Sequence, residues 1–230
     1  MTTNRSDGLE TQGRLLDAAA SVFAARGFHE AKTADICRAA KANVAAVNYH
    51  FRSKEELYAA AWRHEFERSI AAYPPDGGVA ADAPAENRLR GHIQAVVRRF
   101  MDPASRDLDI AHREMSNPTG LLAEVMRTSI EPLRQMHLGI IRELLGPRAT
   151  EEDVQLCEMS IHAQCLVSLM HERQRRFMPQ GVPHPPPPRL NIDGPALAEH
   201  IVRFSLAGLR EVKRTAGRAQ RKTGIRSLET

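Results

Sequence analysis

The sequence predicts an all-α fold. Three observations predict it. Ala, Leu, Arg and Glu abound, while β-branched runs with alternating polarity are scarce. Apolar residues recur at three- and four-residue spacing. Cap-forming Ser, Thr, Asn and Asp, with Gly and Pro breaks, punctuate that pattern at helical lengths.

Residues 1–10 read as a disordered arm. A first helix is expected from Thr11 to Arg26, with Leu15, Leu16, Ala19, Val22 and Phe23 on one face and Gly27 at its end. Thr33 is expected to cap a short helix to Ala40 that turns Ile36 and Ala40 inward, with Asp35 favouring the dipole of its first turn. Asn43 caps a third helix, with Val44, Val47 and Phe51 inward. Ser53-Lys54-Glu55-Glu56 reads as a capping box for a fourth, running through Leu57 and Trp62 towards Ala72.

Pro74-Pro75-Asp76-Gly77-Gly78 breaks the chain. Helices follow from near Glu86 to before Asp102-Pro103, and from Arg106 to Asn117. Thr119 is expected to cap a longer one towards Leu145, which Pro132 should kink or split. A long helix is expected from Glu151 to Phe177. MPQGVPHPPPPRL then reads as a semi-rigid connector. Asp193 caps the last helix, with Pro195 in its first turn and an end near Thr215.

Composition excludes several classes. The 230 residues allow one or two domains with a core of useful size. No apolar run approaches the roughly 18 residues of a membrane span, and the polar N-terminus lacks the apolar region of a signal peptide. Three cysteines do not make a disulfide framework, so a cytoplasmic protein without a membrane partner is expected. No nucleophile–base pair, zinc spacing or Gly-rich phosphate loop is evident. Neither an enzyme nor a cofactor is therefore expected. Cys157, His162 and Cys165 share a helix, but the cysteines are eight residues apart and one ion cannot bridge them, so no metal is expected.

The second helix, a short turn and the third helix form a helix-turn-helix pattern. Its outer face is read as Asn43, Ala45, Ala46, Asn48 and Tyr49. Small Ala side chains let such a helix enter a major groove roughly 12 Å wide, and Asn48 can pair with an adenine edge. Thr33 and Ser53 start helices whose N–H groups suit phosphate oxygens, and Lys54 adds a charge beside one of them.

The stretch from Arg14 to Ala61 resembles the DNA-binding domain of TetR-type regulators. The resemblance rests on Leu16-Asp17-Ala18-Ala19, Phe23, Gly27-Phe28, Thr33, Ile36, Ala39-Ala40, Tyr49-His50-Phe51 and Ser53-Lys54-Glu55-Glu56-Leu57-Tyr58. It implies phosphate contacts by Thr33, Tyr49, His50 and Lys54. It also implies that Asn43, Val44, Ala45 and Asn48 face bases. The family usually has Gly-Val-Ser in the turn, where this chain has Lys41-Ala42-Asn43. A left-handed Lys41 would cost roughly 1–2 kcal/mol.

His112-Arg113-Glu114-Met115-Ser116-Asn117-Pro118-Thr119, with Ile130-Glu131-Pro132 downstream, is similar to the CecR-type C-terminal domain. Such proteins are ligand-responsive repressors, often linked to efflux or transport genes. The resemblance therefore implies a repressor that binds palindromic double-stranded operator DNA as a homodimer and is released by a small-molecule effector. The alternative is a DNA-binding or architectural protein without an effector.

The expected organisation is a disordered arm at 1–10, the helix-turn-helix domain at 11–58, a helical ligand-binding and dimerisation domain at 59–215, and a basic disordered tail at 216–230. Candidate ligand residues are His92, Arg113, Met126, His137 and Gln164. Arg113 and Glu114 read most simply as a buried ion pair. The last two helices are expected to build the dimer through Leu156, Ile161, Leu166, Leu169, Leu197, Ile201, Phe204, Leu206 and Leu209.

The net charge of +4 lies at the chain's end. Residues 213–230 hold six basic residues against one acidic one, so the rest of the chain is close to neutral. The first 58 residues carry eight basic and seven acidic groups. DNA binding is thus inferred from the arrangement of side chains and helix caps, not from overall charge.

Overall fold

The computed structural model describes residues 3–177 and 192–226. Among these the helices are α1 (Thr3–Glu30), α2 (Thr33–Ala40), α3 (Val44–Phe51), α4 (Lys54–Ala72), α5 (Ala85–Met101), α6 (Arg106–Ser116), α7 (Ala123–Leu145), α8 (Glu151–Phe177) and α9 (Gly194–Arg226). The described residues contain no strand. No helix among them is long and apolar enough to cross a membrane. The connector expected at 178–190, the last four residues and the side chain of Leu169 lie outside the described part.

Three features differ from the sequence reading. Residues 3–10 belong to α1 instead of forming a disordered arm. The back-bond from Thr11 Oγ to the Asp7 carbonyl (2.8 Å) and the Arg14–Glu10 ion pair (2.8 Å) are local helix supports that polar composition does not forbid. Residues 216–226, read as part of a disordered tail, continue α9, and no proline interrupts them. The boundary expected after residue 58 falls inside α4, which is unbroken from Lys54 to Ala72.

The chain divides into two compact units. The first comprises residues 1–72 and 102–130. Leu15, Ala19 and Phe23 of α1, Ile36 of α2, Val47 and Phe51 of α3, and Leu57, Tyr58 and Trp62 of α4 are buried in it. Helix α6 packs on both α1 and α4. The Trp62 indole N–H donates to the Asp107 carbonyl at 3.1 Å, so the largest core side chain ties α4 to α6. Gly27, at φ 74° and ψ 177°, lies in a region almost restricted to glycine and bends the end of α1.

The second unit comprises residues 73–101 and 131–230. In it α5 packs on α8 and α9, and α8 on α9. Leu89, Ile93 and Val97 of α5, Leu138 and Ile141 of α7, Ile161 of α8, and Ile201 and Val202 of α9 are buried. The 74–78 turn lies directly on α5. A Cβ at Gly77 would sit 2.3 Å from the Gly91 carbonyl oxygen, so the approach requires glycine. Pro132 lies inside α7 and does not split it.

Candidate nucleic-acid interface

The helix-turn-helix is fixed locally at every end. Asp35, in the first turn of α2, accepts from Arg26 and Arg38, both at 2.7 Å. These guanidinium bonds hold its carboxyl below the usual carboxylate range. Thr33 is the first helical residue and not the cap. The cap position belongs to Lys32, whose extended backbone (φ −101°, ψ 132°) is not accompanied by a side-chain cap bond. The first N–H groups of α2 are thus left without that acceptor. At the other end Lys41 N–H bonds the Arg38 carbonyl (3.3 Å) and Ala42 N–H bonds the Cys37 carbonyl (2.9 Å). This is a Schellman closure, and Lys41 occupies its left-handed position at φ 52°, ψ 43°.

Asn43 caps α3 as expected, its Oδ1 accepting from Ala46 N–H at 2.8 Å. Val47 and Phe51 anchor the inner face. Asn43, Ala45, Asn48 and Tyr49 are exposed, Tyr49 to 83 %, and His50 is half-buried. Val44 was expected inward but is 50 % exposed. Val47 and Phe51, one turn apart, already supply the buried stripe of this short helix. Val44 lies a turn earlier, beyond the packed core. Ser53 Oγ accepts from Glu56 N–H (3.2 Å) and starts α4. The Lys54 ammonium sits 4.3 Å over the Phe28 ring, and partial burial lowers its pKa.

Helix α6 contributes a second constellation to this unit. Arg113 Nε–H donates to the Ala24 carbonyl at 3.1 Å, and a terminal N–H donates to the Ala25 carbonyl. These are late carbonyls of the straight part of α1, just before Gly27. The Glu114 carboxylate accepts from Tyr58 Oη (3.1 Å), from the Thr119 N–H and hydroxyl (2.9 Å each), and from Gly120 N–H (2.9 Å). Arg113 and Glu114, read from sequence as an ion pair, are therefore engaged on α1 and on the Tyr58–Thr119 network. Thr119 serves that network and does not cap α7, which begins four residues later.

Two family models match the chain. The model for bacterial regulatory proteins of the tetR family covers residues 15–61. The model for the C-terminal domain of the HTH-type transcriptional dual regulator CecR covers residues 85–209. The chain belongs to the TetR family and carries a CecR-type C-terminal domain. It is similar to the uncharacterized HTH-type transcriptional regulator YdgC of Bacillus subtilis, with 42% identity over 24% of this chain and 28% of that protein. It is also similar to the HTH-type transcriptional regulator UidR of Escherichia coli, with 32% identity over 32% of this chain and 37% of that protein. The chain thus matches only about a third of the length of these curated relatives. A crystal structure of a transcriptional regulator from Pseudomonas aeruginosa shares the fold, with a TM-score of 0.65, 17% identity, and coverage of 90% of this chain and 92% of that one. Both matched families are families of transcriptional regulators.

Within this TetR-family chain the five candidate ligand residues divide between the units. Arg113 and Met126 belong to the first, and Met126 is half-buried. His92, His137 and Gln164 belong to the second. The His92 and His137 rings lie 4.4 Å apart between centroids. His92 Nδ1–H donates to the Pro75 carbonyl at 2.8 Å, and His137 Nε2 is buried with no hydrogen-bond partner among the described residues. Gln164 donates to the Ser160 carbonyl of its own helix at 3.1 Å. A cleft of about 380 Å³ at the α7–α8 junction is lined by residues including Arg142, Gly146, Thr150 and Val154, and none of the five candidates lines it.

Asp17, His64 and Glu65 bring potential metal-ligand atoms within 4.8 Å of one another. Their surroundings are those of an ion-pair network. Arg68 reaches both Asp17 (3.4 Å) and Glu65 (2.9 Å), and Arg106 reaches Glu65 at 3.5 Å. Glu65 is 2 % exposed, and burial raises its pKa against these two arginines. Burial also pushes the Cys165 thiol up to about 12, so it remains a thiol at neutral pH.

Proposed function

We propose that this TetR-family chain is a homodimeric repressor that binds a palindromic operator through α3 and is released by a small molecule. The observation that carries the reading is the exposed face of α3. Asn43, Ala45, Asn48 and Tyr49 stand outward while Val47 and Phe51 brace the helix from behind. The Asn48 amide has the donor and acceptor that an adenine edge requires, and the small Ala45 admits close approach to a base. Phosphate contacts are assigned to Thr33, Tyr49, His50 and Lys54, and base contacts to Asn43, Val44, Ala45 and Asn48. The domain assignment follows the same reading, with 11–58 as the DNA-binding part and 59–215 as the part that binds ligand and partner.

Dimerisation is assigned to α8 and α9. Leu156, Met159 and Val167 of α8 and Phe204 of α9 are large apolar side chains left exposed. A two-fold dimer would cover them and set two recognition helices about 34–36 Å apart. The effector site is assigned to the helical body, with His92, Arg113, Met126, His137 and Gln164 as its candidates. The effector would act by preferring one spacing of the recognition helices. Control of an efflux or transport gene in the cytoplasm completes the proposal.

The test begins with a duplex selected by the wild-type protein from a random-sequence library. An inverted repeat is expected. Asn48→Ala and Tyr49→Ala should lower affinity for it at fixed salt. Unchanged affinity of both folded variants would refute the readout assignment.

A further inference from the structure

We propose that Lys41 and Arg52 grip DNA phosphates at the two ends of α3. This rests on reading α3 as the DNA-contacting helix. The starting observation is backbone strain. Among the described residues, the non-glycine residues with positive φ are these two alone, and they flank α3. Lys41 takes the left-handed position of the Schellman closure, where glycine is the usual occupant. Arg52 is stranger. Its φ of 59° and ψ of −44°, with the Ser53 N–H bonding the Phe51 carbonyl at 2.6 Å, make it the centre of a classic γ-turn. That turn is rare and strained for any side chain. Glycine would relieve both positions, yet both carry long cations.

A second observation concerns charge. The first 58 residues are nearly balanced, so their cations must be counted by what holds them. Asp35 holds Arg26 and Arg38. Lys54 lies over Phe28. Lys32, Lys41 and Arg52 are exposed, and among the described residues none of them forms an ion pair; of these, Lys41 and Arg52 are the two that flank α3. They are charges still available to an external anion.

The third observation is placement. Lys41 closes the turn before α3 and Arg52 makes the turn after it. A recognition helix lies in the major groove between two phosphate backbones, so cations in the turns on either side of it are beside those backbones and not over the bases. Strain retained at both ends, in residues with free positive charge, is what a phosphate clamp on each strand requires.

The experiment uses full-length protein and four variants, Lys41→Gly, Arg52→Gly, Lys41→Gln and Arg52→Gln. Binding is measured against salt on the library-selected duplex and on a scrambled duplex of equal length. The glycine variants should melt about 2–4 °C higher, because strain is relieved. All four should bind both duplexes more weakly, and each should make the log–log salt slope shallower by about 1.8, since one phosphate contact is lost in each half of the dimer. Unchanged affinity and slope would overturn the clamp. A loss confined to the selected duplex would overturn the phosphate assignment, since it would mean base readout. Failure of the wild type to enrich any duplex would overturn the DNA-binding reading and the clamp with it. A clamp failure alone leaves the wild-type selection intact, so the two failures are distinguishable.

Discussion

The Tyr58 hydroxyl donates to the Glu114 carboxylate across 3.1 Å, joining α4 to α6 over 56 residues of sequence. Burial first, and then the adjacent carboxylate charge, push the Tyr58 phenol far above its ordinary pKa, so it stays a donor at all working pH. Glu114 also receives the Thr119 and Gly120 groups. Glu114→Ala should therefore cost about 2–3 kcal/mol, since it strands several donors of one charged acceptor. Tyr58→Phe, which removes a single donor, should cost about 1 kcal/mol. Urea unfolding of both variants and of the double variant gives the coupling. Additive losses would show that the bond between them contributes nothing of its own.

Gly27→Ala should destabilise by about 1–3 kcal/mol, because its backbone conformation is almost restricted to glycine. Crowding is not the cause. An added Cβ would meet Arg113 Cδ at 3.5 Å, an ordinary contact. Arg113→Ala removes bonds to two α1 carbonyls, so it should also lower the melting temperature. A glycine variant that melts with the wild type would deny the strain at residue 27.

Phe204→Glu should convert a dimer into a folded monomer. Phe204 is 63 % exposed on α9, a large aromatic surface that the described residues leave uncovered. Sedimentation measures the mass, and circular dichroism confirms retained helix. A folded variant that still sediments as a dimer would place the interface elsewhere.

The helix ends were legible in the sequence where their cause is local. Asn43, Ser53 and Asp193 each accept a backbone N–H three residues on, and that spacing is visible in the sequence. The left-handed Lys41 was signalled only through the family resemblance, which puts glycine in that turn. Arg52 was missed, although the signal existed. One helix ends at Phe51 and the next is capped by Ser53, which leaves a single residue to make the turn. The partners of Arg113 and Glu114 were beyond reach for a different cause. Arg113 bonds carbonyls 88 and 89 residues away, and backbone carbonyls carry no sequence signature. The exposure of Val44 was hidden because periodicity gives the phase of a helix face and not how far along the helix the core extends.

Acid should weaken the fold through His137. The side chain is 4 % exposed, and its ring lies 4.4 Å from that of His92. Burial first, and then the neighbouring His92 and His162, hold its pKa at about 3 against an ordinary value near 6.5. His92 is lowered too, chiefly by burial, although its bond to the Pro75 carbonyl opposes the shift. Between pH 6.5 and 3 the unfolded chain binds a proton at His137 that the folded chain refuses. Stability therefore falls as pH drops through that window, by at most about 1.4 kcal/mol per pH unit for one such group. Above pH 7 this contribution is flat. His137→Phe keeps an aromatic ring of similar shape and removes the titration. Urea midpoints of wild type and variant, compared between pH 7 and 5, should diverge, with the wild type losing stability more steeply. Carboxylates common to both proteins cancel in that difference. Parallel curves would show that His137 accepts its proton in the folded state as readily as in the unfolded one, and that its burial does not govern its charge.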